Sequence, residues 1–300
     1  MGVQGQKRLR CLQGAEVLTV DPVIGGADFQ DVESVDPGLY DVAFICTPEK
    51  PKISLASYFL HEGKSVLVEK PLVLSEKDAQ QLEGYGNTSD STLYVAFNHR
   101  FEDSLLHMKN TIQSEDLGEP YLLKIFYGNG TAKLVKESPW RDCSGGVLMD
   151  IGSHLLDLAY FFIPETKYSH WNSYQSSKEN LSADYGRLWT ANQKCEIHLE
   201  ATYLMWKNDF ALDFIGSSGS AHIRGLPKWG ISDLVIRKRP ALTGPPKQFE
   251  VRFDAGDKTW QREHEFFFSL WRNKTPFSLD QQVKMSNVLR RATSTPHLSI

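Results

Sequence analysis

The chain has 300 residues, with 33 basic and 37 acidic side chains, a net charge of −4, 41% hydrophobic residues and 23% charged ones. At roughly 150 residues per domain this composition describes a globular protein of two domains, and it excludes disordered and collagen-like chains. The slightly acidic balance, without a block of about five or six basic residues, argues against a nucleic-acid partner.

Apolar stretches such as Leu155 to Ile163 are broken by Asp157 and fall well short of the roughly 20 residues a membrane span needs, so no membrane partner is expected. Met1 to Gly14 carries Lys7, Arg8 and Arg10 with no apolar core after them, and Gln6 stands where a myristoylation signal wants Ser or Thr. Cys11, Cys46, Cys143 and Cys195 show no C-x-x-C pairing. They read as reduced thiols of a cytoplasmic protein, with neither zinc nor disulfides.

Taken in chain order, Gly2-Val3-Gln4-Gly5 runs into a helix start over Gln6 to Leu12, and a strand is predicted from Glu16 to Val20. Further short apolar runs at Val42 to Cys46, Ser65 to Val68 and Leu93 to Phe97 read as buried parallel strands. Between them Ile53, Ala56, Ser57 and Leu60 form a helical stripe closed by Gly63, and Ser75 with Asp78 marks another helix start. This βαβ succession predicts a doubly wound parallel sheet over residues 1–100.

Beyond residue 100 the period changes to two. Cys195, Ile197, Leu199, Ala201, Tyr203 and Met205 share one strand face, opposite Glu196, His198, Glu200 and Thr202. Phe210, Leu212 and Phe214 repeat the pattern, and Gly216-Ser217-Ser218-Gly219 turns the chain toward Ala221 to Arg224. With Tyr121 to Tyr127, Asp233 to Lys238 and Gln248 to Phe253, residues 101–300 are predicted as an α+β domain with an open, mostly antiparallel sheet, helices on its other face. Leu242 to Lys247 and the last few residues read as loose.

Glycines at Gly2 and Gly5 suit a backbone that must approach a pyrophosphate at a helix N-terminus; alone, they equally describe a flexible tail. Asp21 lies 19 residues beyond Gly2, the spacing of the acid that accepts hydrogen bonds from the adenine ribose, although an Asp before Pro is also a turn residue. With no Arg or Lys beside Asp21 to meet a 2′-phosphate, NAD is favoured over NADP.

Two further signals carry chemistry. Glu69-Lys70-Pro71 follows a predicted strand, and Pro71 keeps Lys70 extended at the carboxyl edge of the sheet, where ligands of this architecture bind. In Gly145-Gly146-Val147-Leu148-Met149-Asp150-Ile151-Gly152-Ser153-His154-Leu155-Leu156-Asp157, a helix would align Asp150, His154 and Asp157 on one face, with Leu148, Ile151, Leu155 and Phe162 on the apolar side. The two carboxylates would orient the imidazole, and the glycine pair would let the backbone lie close to a ligand. No second His stands nearby to complete a metal site, so no metal is expected.

Together with Thr47-Pro48 after the Val42 to Cys46 strand, these motifs resemble the Gfo/Idh/MocA oxidoreductases over nearly the whole chain. The resemblance implies an N-terminal NAD-binding Rossmann domain and a C-terminal domain used for substrate binding or subunit contact, and hence a homo-oligomer. The implied substrate is a sugar, polyol or nucleotide sugar. Lys70 then matches the family's catalytic lysine, His154 its catalytic histidine and Asp150 the acid one turn earlier. Thr47, Pro48, Glu69 and Asn98 match positions around the cofactor, and Arg141, after Trp140, matches a position that holds substrate or cofactor. The implied mechanism brings Lys70 and His154 to one hydroxyl oxygen. A non-catalytic NAD- or sugar-sensing paralogue and an NAD-dependent glycosidase of the same family remain the alternatives. Lys52 stands where many members have His.

One departure concerns the first strand of the fold, expected centrally between Glu16 to Val20 and Val42 to Cys46: Met1 occupies a position inside the glycine motif, as if the sequence began at an internal methionine. Adding about seven to ten upstream apolar residues, one strand's length, is expected to raise both NAD affinity and melting temperature, measured by titration and thermal unfolding.

Overall fold

The computed structural model describes residues 1–12, 14–23, 25–114, 117–143, 145–164, 170–191, 195–241, 243–254 and 256–294. Leu242 and the last six residues, expected to be loose, lie outside these. In chain order the helices are α1 (Val3–Arg10), α2 (Lys52–His61), α3 (Glu76–Ser89), α4 (Asp103–Gln113), α5 (Ala132–Lys136), α6 (Pro139–Asp142), α7 (Ser153–Phe162), α8 (Thr259–Arg272) and α9 (Asp280–Ser294). The strands are β1 (Val42–Ile45), β2 (Ser65–Glu69), β3 (Leu93–Ala96), β4 (Pro120–Gly128), β5 (Asn172–Ser176), β6 (Tyr185–Ala191), β7 (Glu196–Thr202), β8 (Asp209–Gly216), β9 (Gly219–Arg224), β10 (Ser232–Lys238) and β11 (Lys247–Phe253). The chain divides into two units, one of Met1–Asn98 with Trp260–Ser286, the other of His99–Thr259 with the chain from Asn287 onward.

In the first unit β1, β2 and β3 form a parallel sheet in that order, with Val42 opposite Ser65 and Val66 opposite Leu93. All five residues of β2 are buried, as a strand covered on both faces requires. On one face Ala56 and Leu60 of α2, Ala79 and Leu82 of α3, and Leu279 and Val283 pack with Val66 and Val68. On the other, Phe267 and Phe268 of α8 pack against Leu67, Phe44 and Tyr94. Gly63 closes α2 at φ 72°, and Ser75 and Asp78 form a reciprocal capping box at the start of α3, both as the sequence indicates.

The predicted strand from Glu16 to Val20 does not form. Val20 makes a single parallel bridge to Phe29, and the segment joins neither sheet. A strand needs a neighbouring ladder for its N–H and C=O groups, and among the described residues no strand stands between this segment and β1. Helix α1 begins at Val3, earlier than the expected Gln6, with Gly2 as its N-cap.

The second unit is built on eight strands in the order β11-β10-β9-β8-β4-β7-β6-β5, antiparallel except for the pair β4–β7. The period-two reading of β7 and β8 holds except at Thr202, expected on the wet face and buried: Ile197, Leu199, Ala201, Phe210, Leu212 and Phe214 are buried while Glu196 and Ile215 are exposed. Ser217 and Ser218 make the two-residue turn from β8 to β9. Helix α7 packs on β4 and β7, and α4 on β9 and β10. Among the described residues no helix is long and apolar enough to cross a membrane.

The first unit is tied by charge as well as by apolar packing. Arg8 of α1, 2% exposed, donates from Nε to Glu69 at 2.8 Å and reaches Glu263 of α8 at 2.6 Å. Burial, and then the Glu69 carboxylate against the pull of Arg8, holds the Glu263 acid up at about 7. Removing one partner of a buried ionic cluster strands the others. Arg8→Met is therefore expected to lower the unfolding free energy by about 3–5 kcal/mol in denaturant titrations, and Arg8→Lys to recover little of it, because a single ammonium cannot reproduce the guanidinium fork.

Candidate active site

In the first unit the candidate residues cluster at the start of α1 and the carboxyl ends of the strands. Gly2 caps α1 in an extended conformation (φ −69°, ψ 175°) with no side chain bonded to the helix end and no acid in its first turn. The uncapped amides of that turn are the donor set a pyrophosphate takes. Gly5 lies next to Cys46 at the end of β1, where an added Cβ would sit at ordinary contact distance, 3.8 Å, so the glycine is not required for that approach. The Asp21 carboxylate lies 3.2 Å from the Met1 nitrogen, beside Gly2. These features fit a dinucleotide.

Thr47 and Pro48 follow β1, and the Thr47 hydroxyl donates to the Pro48 carbonyl at 3.1 Å. Glu69 ends β2 with its carboxylate committed to Arg8, and Lys70 follows on a cis peptide to Pro71. Lys52 is buried at the first position of α2, and its Nζ donates to the Pro71 carbonyl at 2.7 Å. The departure noted in the sequence thus holds the exit of the turn that carries Lys70. An ammonium there is held in low dielectric at the positive end of a helix. Burial, aided by the Lys70 charge and opposed by Glu69 and Glu49, lowers Lys52 to about 8. Asn98 closes this unit and is 8% exposed.

In the second unit the glycine-rich run opens a helix whose first part, Leu148–Gly152, is a π-helical turn leading into α7. Such wide turns within helices are frequent at functional sites. Gly145 and Gly146 adopt φ of 84° and 66°, and a Cβ on Gly146 would come within 2.6 Å of the Ala183 carbonyl. The close approach foreseen for a ligand is in fact made to the backbone of Ala183.

The expected polar stripe divides in two. Asp157, 1% exposed, accepts from Nε and a terminal nitrogen of Arg100, the first at 2.7 Å. Asp150, with a side chain 41% exposed, accepts from the Tyr203 hydroxyl at 3.0 Å and lies 3.6 Å from the Arg141 guanidinium. Burial, and then the Asp150 charge, pushes the Tyr203 phenol well up, so Tyr203 stays a donor. Arg141 sits on α6, whose neighbour Asp142 accepts from the Leu181 and Ser182 amides and fixes the turn. His154 is 8% exposed and stacks on His99, with ring centroids 3.9 Å apart.

Arg8, Lys52 as a clamp, Tyr203 and His99 escaped the sequence reading. Tyr203 lies on an apolar strand face, where its hydroxyl is the available signal; His99 follows the candidate Asn98 in sequence.

Comparison with known proteins places both units among known families. Residues 10–97 match the model of an oxidoreductase family with an NAD-binding Rossmann fold, and residues 105–222 match the GFO/IDH/MocA C-terminal domain. Glucose-6-phosphate 3-dehydrogenase of Bacillus subtilis (strain 168) is 26% identical over 253 residues, which are 75% of this chain and 71% of that protein. A scyllo-inositol 2-dehydrogenase (NADP(+)) of the same organism is 25% identical over 179 residues, 54% of this chain and 49% of its own. Among solved structures, levoglucosan dehydrogenase in complex with NADH and levoglucosan superposes with a TM-score of 0.74 at 18% identity, covering 90% of this chain and 83% of that one, a likeness of fold.

Lys52 makes stability depend on pH. Its folded value of about 8 lies below the ordinary 10.5, so between those values the unfolded chain binds more protons and stability rises with pH. The cost, about 3 kcal/mol, is fully present below pH 8. In denaturant titrations from pH 7 to 10, the wild-type chain is expected to gain stability relative to Lys52→Met; parallel curves would show that Lys52 titrates in its ordinary range.

Proposed function

The chain belongs to the GFO/IDH/MocA oxidoreductase family, and from that premise we propose that it oxidises or reduces a hydroxyl or keto group of a sugar, polyol or nucleotide sugar. Its first unit contains the NAD(P)-binding Rossmann fold. Asp21 supports NAD over NADP, since a carboxylate at the ribose repels a 2′-phosphate. Gly2, Gly5, Asp21, Thr47, Pro48, Glu69, Lys70 and Asn98 line the cofactor in this reading, with residues 1–100 as the cofactor domain, which Trp260–Ser286 joins in the fold, and the rest of 101–300 as the substrate and subunit-contact domain.

When bound, the nicotinamide supplies the hydride chemistry. In the oxidation direction His154 takes the hydroxyl proton, a general-base role suited to imidazole. Lys70 donates a hydrogen bond to the same oxygen and stabilises the alkoxide charge. Asp150 balances charge at the site, and Arg141 offers further N–H donors to substrate.

The observation that carries this reading is the Asp150 cluster on the helix that holds His154. A half-open carboxylate gripped by Tyr203 and Arg141 adds little to packing and is well placed to orient polar groups. Tyr121 and Ile215, exposed on the adjacent strands β4 and β8, support a homo-oligomer through this sheet. A cytoplasmic location accords with the four free thiols.

A panel of polyols, sugars and nucleotide sugars, followed by NADH absorbance, is expected to yield at least one substrate. Lys70→Ala and His154→Ala should each lower kcat by about 10²- to 10⁴-fold while leaving NADH binding, read by fluorescence, largely intact. A variant near full rate removes its residue from the mechanism, and glycoside cleavage without net NADH reassigns the reaction.

A further inference from the structure

His154 shares its place in the second unit with another imidazole. His99 lies on it with ring centroids 3.9 Å apart and planes inclined by 24°. Both side chains are buried, at 3% and 8% exposure, and Tyr127 of β4 covers His99 at 5.5 Å. Tyr127 in turn meets Trp229 at 5.1 Å, so the pair is walled by aromatic rings. Of the titratable groups on the elements packed around it, Asp157 is held by Arg100 and Asp150 lies with Arg141 and Tyr203. Glu102, at the end of the turn bearing His99, lies 3.7 Å from Lys228, and burial, with Asp257 and Asp103 adding to it against Lys228, raises its acid to about 7.

Two stacked rings at this separation do not titrate separately. A neutral imidazole presents its π-face to a cationic partner and stabilises it, as aromatic faces do for cations. Two imidazolium ions in the same gap repel in a site largely closed to water. The second proton is therefore opposed more strongly than the first, and the macroscopic steps belong to the pair.

We propose that His99 is a positioning residue for His154: stacked on it, His99 fixes the plane of the catalytic ring and restricts the pair to one proton. This rests on the reading of His154 as the general base. In oxidation, the proton leaving the substrate hydroxyl becomes the pair's single proton on the His154 ring, and the π-face of His99 stabilises the imidazolium. A pair that already carries its proton cannot take another readily, so acid inhibits through both rings.

The test separates the stack from the proton. The full chain, labelled at histidine 13Cε1, is titrated by NMR as wild type, His99→Phe and His99→Ala, with His154→Ala assigning the second resonance. In the wild type the His99 and His154 signals are expected to move together in two steps at least about one pH unit apart. In His99→Phe, which keeps a ring but cannot bind a proton, His154 should titrate in one step. Once a substrate is known, His99→Ala should lower kcat about tenfold or more and His99→Phe should restore most of it, with one ionisation fewer on the acid limb of kcat.

Two independent one-proton curves in the wild type, or a His154 curve unchanged in His99→Phe, would overturn the proposal. So would equal loss of rate in both variants with an unaltered acid limb, the mark of a merely structural residue. If no substrate turns over, the NMR titration still decides this inference, and only the reading of the reaction falls.

Discussion

Arg8 sits 2% exposed with its guanidinium spread between Glu69 and Glu263, and much of the first unit is fixed by where that group lies. Helix α1, Val-Gln-Gly-Gln-Lys-Arg-Leu-Arg, has no apolar stripe with which to dock. Its buried attachment is Arg8, which reaches the end of β2 and the covering helix α8, where Arg8 and Lys7 also lie over the Trp260 ring. That attachment sets the position of Gly2 and Gly5, whose backbone offers the phosphate-binding amides. It also holds Glu69, and so the start of the turn that carries Lys70. Burying Arg8 with Glu69 and with Glu263, whose acid is held up at about 7, is defensible only because each has its partner; the geometry is therefore all or none.

This ionic tie is also where local reasoning had least purchase. Strands β1 to β3 and helices α2 and α3 were legible because period, caps and apolar content agree within each short segment. Arg8 in a polar octapeptide reads as a solvated charge, and its burial depends on Glu263, which arrives near the other end of the chain. The segment from Glu16 to Val20 failed for the complementary reason. Its composition suits a strand, but a strand is a relation between two segments, and the partner ladder is not formed among the described residues.

In the second unit the same distinction applies. Alternation identified β7 through β10, where one face meets the core, and also β11, which stays largely exposed; it missed β5 and β6, of which β5, with the sequence Asn-Ser-Tyr-Gln-Ser, carries no such signal and is recruited by pairing with β6. The glycine pair was placed correctly as a close approach, yet the approaching group is the Ala183 backbone. Spacing reports that a side chain is unwelcome and does not say what occupies the room. His99 illustrates the limit further: adjacency to Asn98 made it visible, and only the fold lays it face to face with His154.

The two carboxylates flanking His154 show how packing assigns different work to like residues. By sequence Asp150 and Asp157 are equivalent neighbours, one turn before and one turn after the imidazole. Asp157 is fully enclosed and met by the fork of Arg100, so its charge is spent on the fold. Asp150 stands at the half-open end, where the Tyr203 phenol and Arg141 meet it. An enclosed carboxylate cannot answer to a ligand, while one that remains 41% exposed can share its donors with an arriving hydroxyl. Environment thus separates a structural acid from one available for chemistry, as it does wherever paired acids take different roles.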